Sequence, residues 1–150
     1  MIRVQKEDFD AGQEIRGISA KNIEVGGVAS FIGLVRGTNE DSQITAMTLE
    51  HYPGMTEKIL FCLESEARTR WKLEDVLIIH RYGELTPGEQ IVLVITASAH
   101  REDALQSCQF LIDRLKTGAP FWKKEDTPAG SHWVESKAED DTASERWLKY

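Results

Sequence analysis

Cysteine is scarce. The 150-residue chain has two, Cys62 and Cys108, with neither a Cys-x-x-Cys pair nor closely spaced histidines beside them. That excludes a disulfide scaffold and gives a zinc site no ligand set. Long apolar runs are missing too: nothing approaches the roughly 20 residues needed to cross a bilayer, and the N-terminus lacks the charged-then-apolar pattern of a signal peptide. A cytoplasmic protein is expected. Positive charge is in deficit, with 18 Lys and Arg against 25 Asp and Glu, a formal net charge of -7 and a pI of about 5.1. Broad nucleic-acid or membrane-surface binders neutralise phosphates with extended basic surfaces, so any anion site here must be local. No Gly-rich phosphate loop, Ser-His-Asp pattern, His-x-x-x-His pair, repeat or low-complexity linker occurs, which leaves hydrolase and metalloenzyme readings little support. No cofactor and no metal are expected.

The length suits one domain with a substantial core, so residues 1–150 are read as a single unit, with 139–150 an acidic tail carrying Trp147. In order, 1–5 reads as a strand and 10–19 as a short amphipathic helix. From Val25 to Val35, apolar residues on both parities predict a strand buried on both faces. Thr38 to Gln43 reads as a mobile polar loop, and Ile44 to Tyr52 as a strand with Met47 and Leu49 on one face. Pro53-Gly54 opens a long helix whose Met55, Ile59, Leu63, Ala67 and Trp71 recur every four residues as a core stripe. Strands at 76–81 and 91–99, joined through a Pro-Gly turn, predict a hairpin. A second helix follows His100, with Leu105, Cys108, Leu111, Ile112 and Leu115 on its apolar face, stopping near Lys116 before the Gly118-Ala119-Pro120 break. Extended chain follows, then a short strand over 131–136. Strands first and last around two long helices predict an α+β fold.

The local charge reversal lies at that break. From Arg114 to Lys124 there are four cations, Arg114, Lys116, Lys123 and Lys124, and no acid. Lys116 alone reads as a helix-end cation facing the negative pole of the macrodipole, worth roughly 0.3 to 1 kcal/mol. Lys123 lies past a chain reversal, so both ammonium groups can face one pocket, and strand alternation turns only one of Lys123 and Lys124 inward. His100-Arg101, at a strand end and helix start, and Arg36, past the apolar run ending at Val35, suit an anion. Together Arg36, His100, Arg101, Lys116 and Lys123 predict a cationic pocket for a phosphate-bearing small molecule, with lysines available for acid-base work. Both cysteines are read as packing residues inside helices.

The segments Phe31-Ile32-Gly33-Leu34-Val35-Arg36, Leu49-Glu50-His51-Tyr52, Ile79-His80-Arg81-Tyr82-Gly83, Ser98-Ala99-His100-Arg101 and Leu115 to Glu125 resemble the large, catalytic subunit of molybdopterin synthase, from about Val4 to Trp147. The resemblance implies an α/β hammerhead fold with a small antiparallel β subdomain. It implies a large-subunit homodimer with a small ubiquitin-like subunit docked at each end. The implied reaction moves two sulfurs from that subunit's C-terminal Gly-Gly thiocarboxylate to cyclic pyranopterin monophosphate, making the dithiolene of molybdopterin. By position, Lys116 resembles the essential lysine beside the arriving tail, a candidate for proton transfer or oxyanion stabilisation, and Lys123 the second active-site lysine. Arg36, His100 and Arg101 match the pterin-phosphate pocket, flanked by Leu34, Val35, Lys124 and Glu125. Lys137 aligns where some members offer an arginine to the neighbouring subunit. The competing expectation is a non-catalytic binder holding a phosphorylated metabolite in the same pocket.

Overall fold

The computed structural model describes every residue except 119, 135–137 and 150. Its elements, in order, are β1 (Ile2–Gln5), α1 (Ala11–Lys21), β2 (Gly27–Leu34), β3 (Thr38–Asn39), β4 (Ser42–Gln43), β5 (Ala46–His51), α2 (Met55–Arg70), β6 (Asp75–Arg81), β7 (Gly83–Leu85), β8 (Gln90–Ser98), α3 (Arg101–Gly118), β9 (Phe121–Thr127), β10 (Gly130–Val134), α4 (Ala138–Glu145) and a closing 3-10 turn, Arg146–Lys149. A large sheet runs β1-β6-β8-β2, and a small antiparallel sheet runs β10-β9-β5-β7. This bears out the expected α+β class and its small antiparallel sheet.

Period-2 alternation divides the large sheet into two buried faces. Val76, Ile78 and Val94 pack with Leu60, Leu63 and Ala67 of α2 and Ala104, Cys108, Phe110 and Leu111 of α3. Leu77, Ile79, Leu93 and Ile95 turn the other way, onto Phe9 and α1. A third cluster, Val35, Met47, Leu49, Leu85 and Ile91, forms the core of the small sheet. Cys108 is buried among apolar atoms, which push its thiol up to about 11, against a smaller lowering by its bond to Thr96.

Several expectations are corrected. β2 is the last strand of the large sheet, so it lacks cover on both sides: Ala29 is buried, while Phe31, Ile32 and Leu34 are 39%, 38% and 52% exposed. The four-residue stripe of α2 drifts because four residues turn a helix through about 400°, roughly 40° past a full turn. Two such steps put Met55 about 80° from Leu63, and three about 120° from Ala67. The buried set is Thr56, Leu60, Leu63, Glu64 and Ala67, and Cys62 lies on the exposed side. Leu105 of α3 is likewise exposed, its place taken by Ala104 and Phe110, and the helix runs on to Gly118. Residues 38–43 form a hairpin, not an irregular loop. β6 and β8 do pair antiparallel, but between them β7 crosses to pair with β5 in the small sheet. The acidic tail is docked: Trp147 is buried, its Nε1–H donates to Asp113 at 2.7 Å, and its carbonyl accepts from Arg70 at 2.9 Å.

Candidate active site

The site begins at an irregularity. Gly33 pairs with Val92, but Leu34 pairs with Gln90, leaving Ile91 as one residue in excess on β8. A bulge of this kind bends a strand and increases its twist. The chain beyond Leu34 leaves the large sheet, Val35 enters the small core, and Arg36 reaches the seam between the two sheets. There a cleft of about 460 Å³ opens, walled by the end of β2, the C-terminal turns of α3 and the inner face of β9. Arg36, Lys116 and Lys123 all line it. Phe31, Leu34, Ile112 and Leu115 supply apolar wall, and Glu125 and Asp140 bring the acids. Three cations against two carboxylates leave the cleft positive within an acidic chain.

Lys123 and Lys124 separate as alternation requires. Phe121, Lys123 and Glu125 face inward, while Lys124, opposite Thr48 and Trp133, lies on the outer face and does not line the cleft. Glu125 is buried and accepts from Asn39 Nδ2 at 3.0 and 3.2 Å, which ties the 38–43 hairpin to the cleft floor. Val35 is corrected as a side-chain contact: its side chain is 3% exposed and its N–H donates to the Glu89 carbonyl, while its own carbonyl accepts from Gly88.

His100 and Arg101 are not brought to this cleft within one chain. They stand at the start of α3, fifteen residues from Lys116, about 22 Å along the helix axis at 1.5 Å per residue. Their neighbour is the opposite end of β2, where a β-carbon on Gly27 would sit 3.6 Å from Arg101 Cα. Lys137 lies outside the described residues.

Two cleft residues were missed by the sequence reading. Asn39 fell in the segment read as a mobile loop. His80 is buried on β6 and lines the cleft. Burial foremost, with the charges of Lys123 and His51 adding to it, pushes its imidazole down to about 4, although its bond to the Arg81 carbonyl acts the other way. The parity of Val76, Ile78 and His80 was the available signal. Among the described residues no group of three His, Cys, Asp or Glu is placed to hold a metal, and no helix is long and apolar enough to cross a membrane.

Comparison with known proteins agrees with the resemblance. The model of the MoaE protein family matches residues 4–118. The molybdopterin synthase catalytic subunit of Pseudomonas aeruginosa is 51% identical over 146 residues, covering 97% of both chains. The molybdopterin biosynthesis MoaE protein of Burkholderia ambifaria superposes with a TM-score of 0.84 at 49% identity, covering 99% of this chain and 97% of its own. A chain in the complex of subunits 1 and 2 of the Helicobacter pylori molybdopterin-converting factor has the same fold, with a TM-score of 0.74 at 17% identity and 91% coverage of both chains. The competing binder reading finds no support among these relatives. On sequence and fold together, the chain belongs to the MoaE protein family.

Proposed function

We infer that this chain is the catalytic partner in sulfur transfer to cyclic pyranopterin monophosphate, the donor being the thiocarboxylated tail of a small ubiquitin-like subunit. The observation that carries the reading is the convergence of Arg36, Lys116 and Lys123 on one cleft in a chain of net charge -7. A cleft of that size, lined by three cations and by apolar wall, suits a flat ring bearing a phosphate. Sulfur arriving on a partner's tail needs no thiol here, consistent with the buried, high-pKa Cys108 and with Cys62 on the outside of α2.

The tail's sulfur bonds to a substrate carbon, water adds to the acyl carbon of the thioester so formed, and the tetrahedral stage carries a negative oxygen before the acyl C–S bond breaks, leaving sulfur on the substrate and a carboxylate on the tail. Lys116, exposed at the end of α3, is where an incoming tail meets the cleft, and its ammonium stabilises that oxygen. Lys123, on the inner face of β9, and Arg36, at the seam between the sheets, hold the phosphate.

The working unit is a symmetric dimer built on β2. This strand is the unpaired edge of its sheet and exposes apolar residues along its length. An exposed edge of that kind is a template for another strand. Adding a second β2 antiparallel about its middle sets the Gly27 end of one copy against the Leu34 end of the other. The second copy's His100 and Arg101 then arrive beside Arg36, completing the phosphate pocket that one chain leaves open. Incubation with cyclic pyranopterin monophosphate and a thiocarboxylated small subunit tests the reading: dithiolene product is expected, and its absence would overturn it.

A further inference from the structure

His80 has no part in the reading above, yet it stands in the wall of the cleft. Its Nδ1 is 2.8 Å from the Arg81 carbonyl oxygen, which can only accept, so Nδ1 carries the hydrogen and Nε2 is the bare acceptor. Its ring lies flat on Phe121, with centroids 3.7 Å apart and planes 13° from parallel. Phe121 in turn meets His51 at 5.9 Å, on the strand paired with it. Phe121 and Lys123 are two residues apart on β9 and so emerge on the same face. His80, Phe121 and Lys123 all line the cleft.

We propose that His80 is a positioning residue for Lys123: its ring, stacked against Phe121, sets the inward face of β9 over the cleft and presents an uncharged Nε2 acceptor beside the lysine. This rests on the cleft being the sulfur-transfer site. The choice of group has a physical reason. A carboxylate in the same place would neutralise the ammonium that must meet a phosphate, and a second cation would repel it. A buried imidazole held neutral does neither. The charges that act on the ring are those of Lys123 on β9 and His51 on β5, and the cleft it lines also holds Glu125 on β9, Lys116 on α3, Arg36 beyond β2 and Asp140 on α4. Arg81, next on its own strand, is turned to the carbonyls of Lys6 and Gln90.

Two substitutions separate the ring's functions. His80→Phe keeps a flat ring to stack but has no acceptor, and His80→Gln puts an amide oxygen near the position of Nε2 with less to stack. Single-turnover sulfur transfer would be followed from pH 6 to 10 for both and for the wild type, with thermal melts reporting folding. For His80→Phe we expect the rate to fall at least tenfold. Its alkaline limb should move to lower pH, because Lys123 facing an apolar ring in place of a polar one gives up its proton more readily. In His80→Gln part of the rate and the position of the limb return. A His80→Phe protein with wild-type rate and an unmoved limb overturns the proposal. So do two variants that slow equally with unmoved limbs, since that marks a packing role. A wild type that forms no dithiolene overturns the reading of the cleft and this proposal with it.

Discussion

Lysines 116 and 123 occupy different positions in the cleft, and their removal has different consequences. Lys116 is exposed on the last turns of α3, whereas Lys123 lies on the inner face of β9 beside the buried His80. Lys116→Ala should lower the single-turnover rate by on the order of 10²- to 10³-fold, the usual loss for one transition-state charge contact, with binding of the cyclic substrate unchanged. Lys123→Ala should weaken that binding as well as slow turnover. Direct titration beside rapid-quench kinetics distinguishes them, and a Lys116→Ala protein of near-normal rate would return the residue to a helix-end cation. His80 makes a separate prediction about stability. Its imidazole titrates near 6.5 in the unfolded chain and about 4 in the folded one. The native state therefore takes up the proton less readily, and the stabilisation is complete above pH 6.5 and lost as pH falls to about 4. A gap of that size corresponds to about 3 kcal/mol. Urea melts at pH 7 and pH 4.5 should show His80→Phe losing much less stability over that interval than the wild type. Equal losses would place the acid sensitivity elsewhere.

Between elements, the 38–43 hairpin carries a visible cost. Its turn residues Glu40 and Asp41 both have positive φ, 50° and 65°, a conformation that favours Asn and Gly. The Asn39 anchor to Glu125 holds it in place. Glu40→Asn with Asp41→Gly should raise stability by about 1 kcal/mol, a rise of about 2 to 4 °C in Tm by calorimetry, provided Asn39 is kept. No rise would mean that the turn is not strained. The same hairpin shows where sequence reading stops. Its polar residues carry no periodicity, and the bond that orders it spans 86 positions. Strands such as β6 and β8 were legible because nearly every residue is buried, and the α3-to-β9 break because Gly118 and Pro120 punctuate it. Lys123 was separated from Lys124 by alternation alone. Met55 was misplaced because a strict four-residue spacing drifts by about 40° per step, and Cys62 because lying within a core-packed helix does not say which side a residue faces. Arg36, Lys116 and Lys123 line one cleft, but His100 and Arg101 were grouped with them by charge although the helix pattern already put them at its start and Lys116 near its end, too far apart for one pocket in one chain.

For the molecule as a whole, a pocket completed by a second copy predicts complementation. Lys116→Ala and Arg101→Ala proteins, each inactive alone, should regain activity when mixed and allowed to exchange subunits, because one site of the mixed dimer is then intact. No recovery, or light scattering that shows a monomer at every concentration, would confine the site to one chain. The excess residue Ile91 has a wider consequence. Past it, β2 and β8 pass from the large sheet into the small core still paired across the bulge, with the Val35 N–H bonded to Glu89. No loop separates the two cores at that seam, so neither has an independent route to melt. A single calorimetric transition is expected, and the Val35 amide should exchange for deuterium as slowly as those of central β8. The cleft lies across that shared ladder, so its walls keep their spacing until the molecule unfolds.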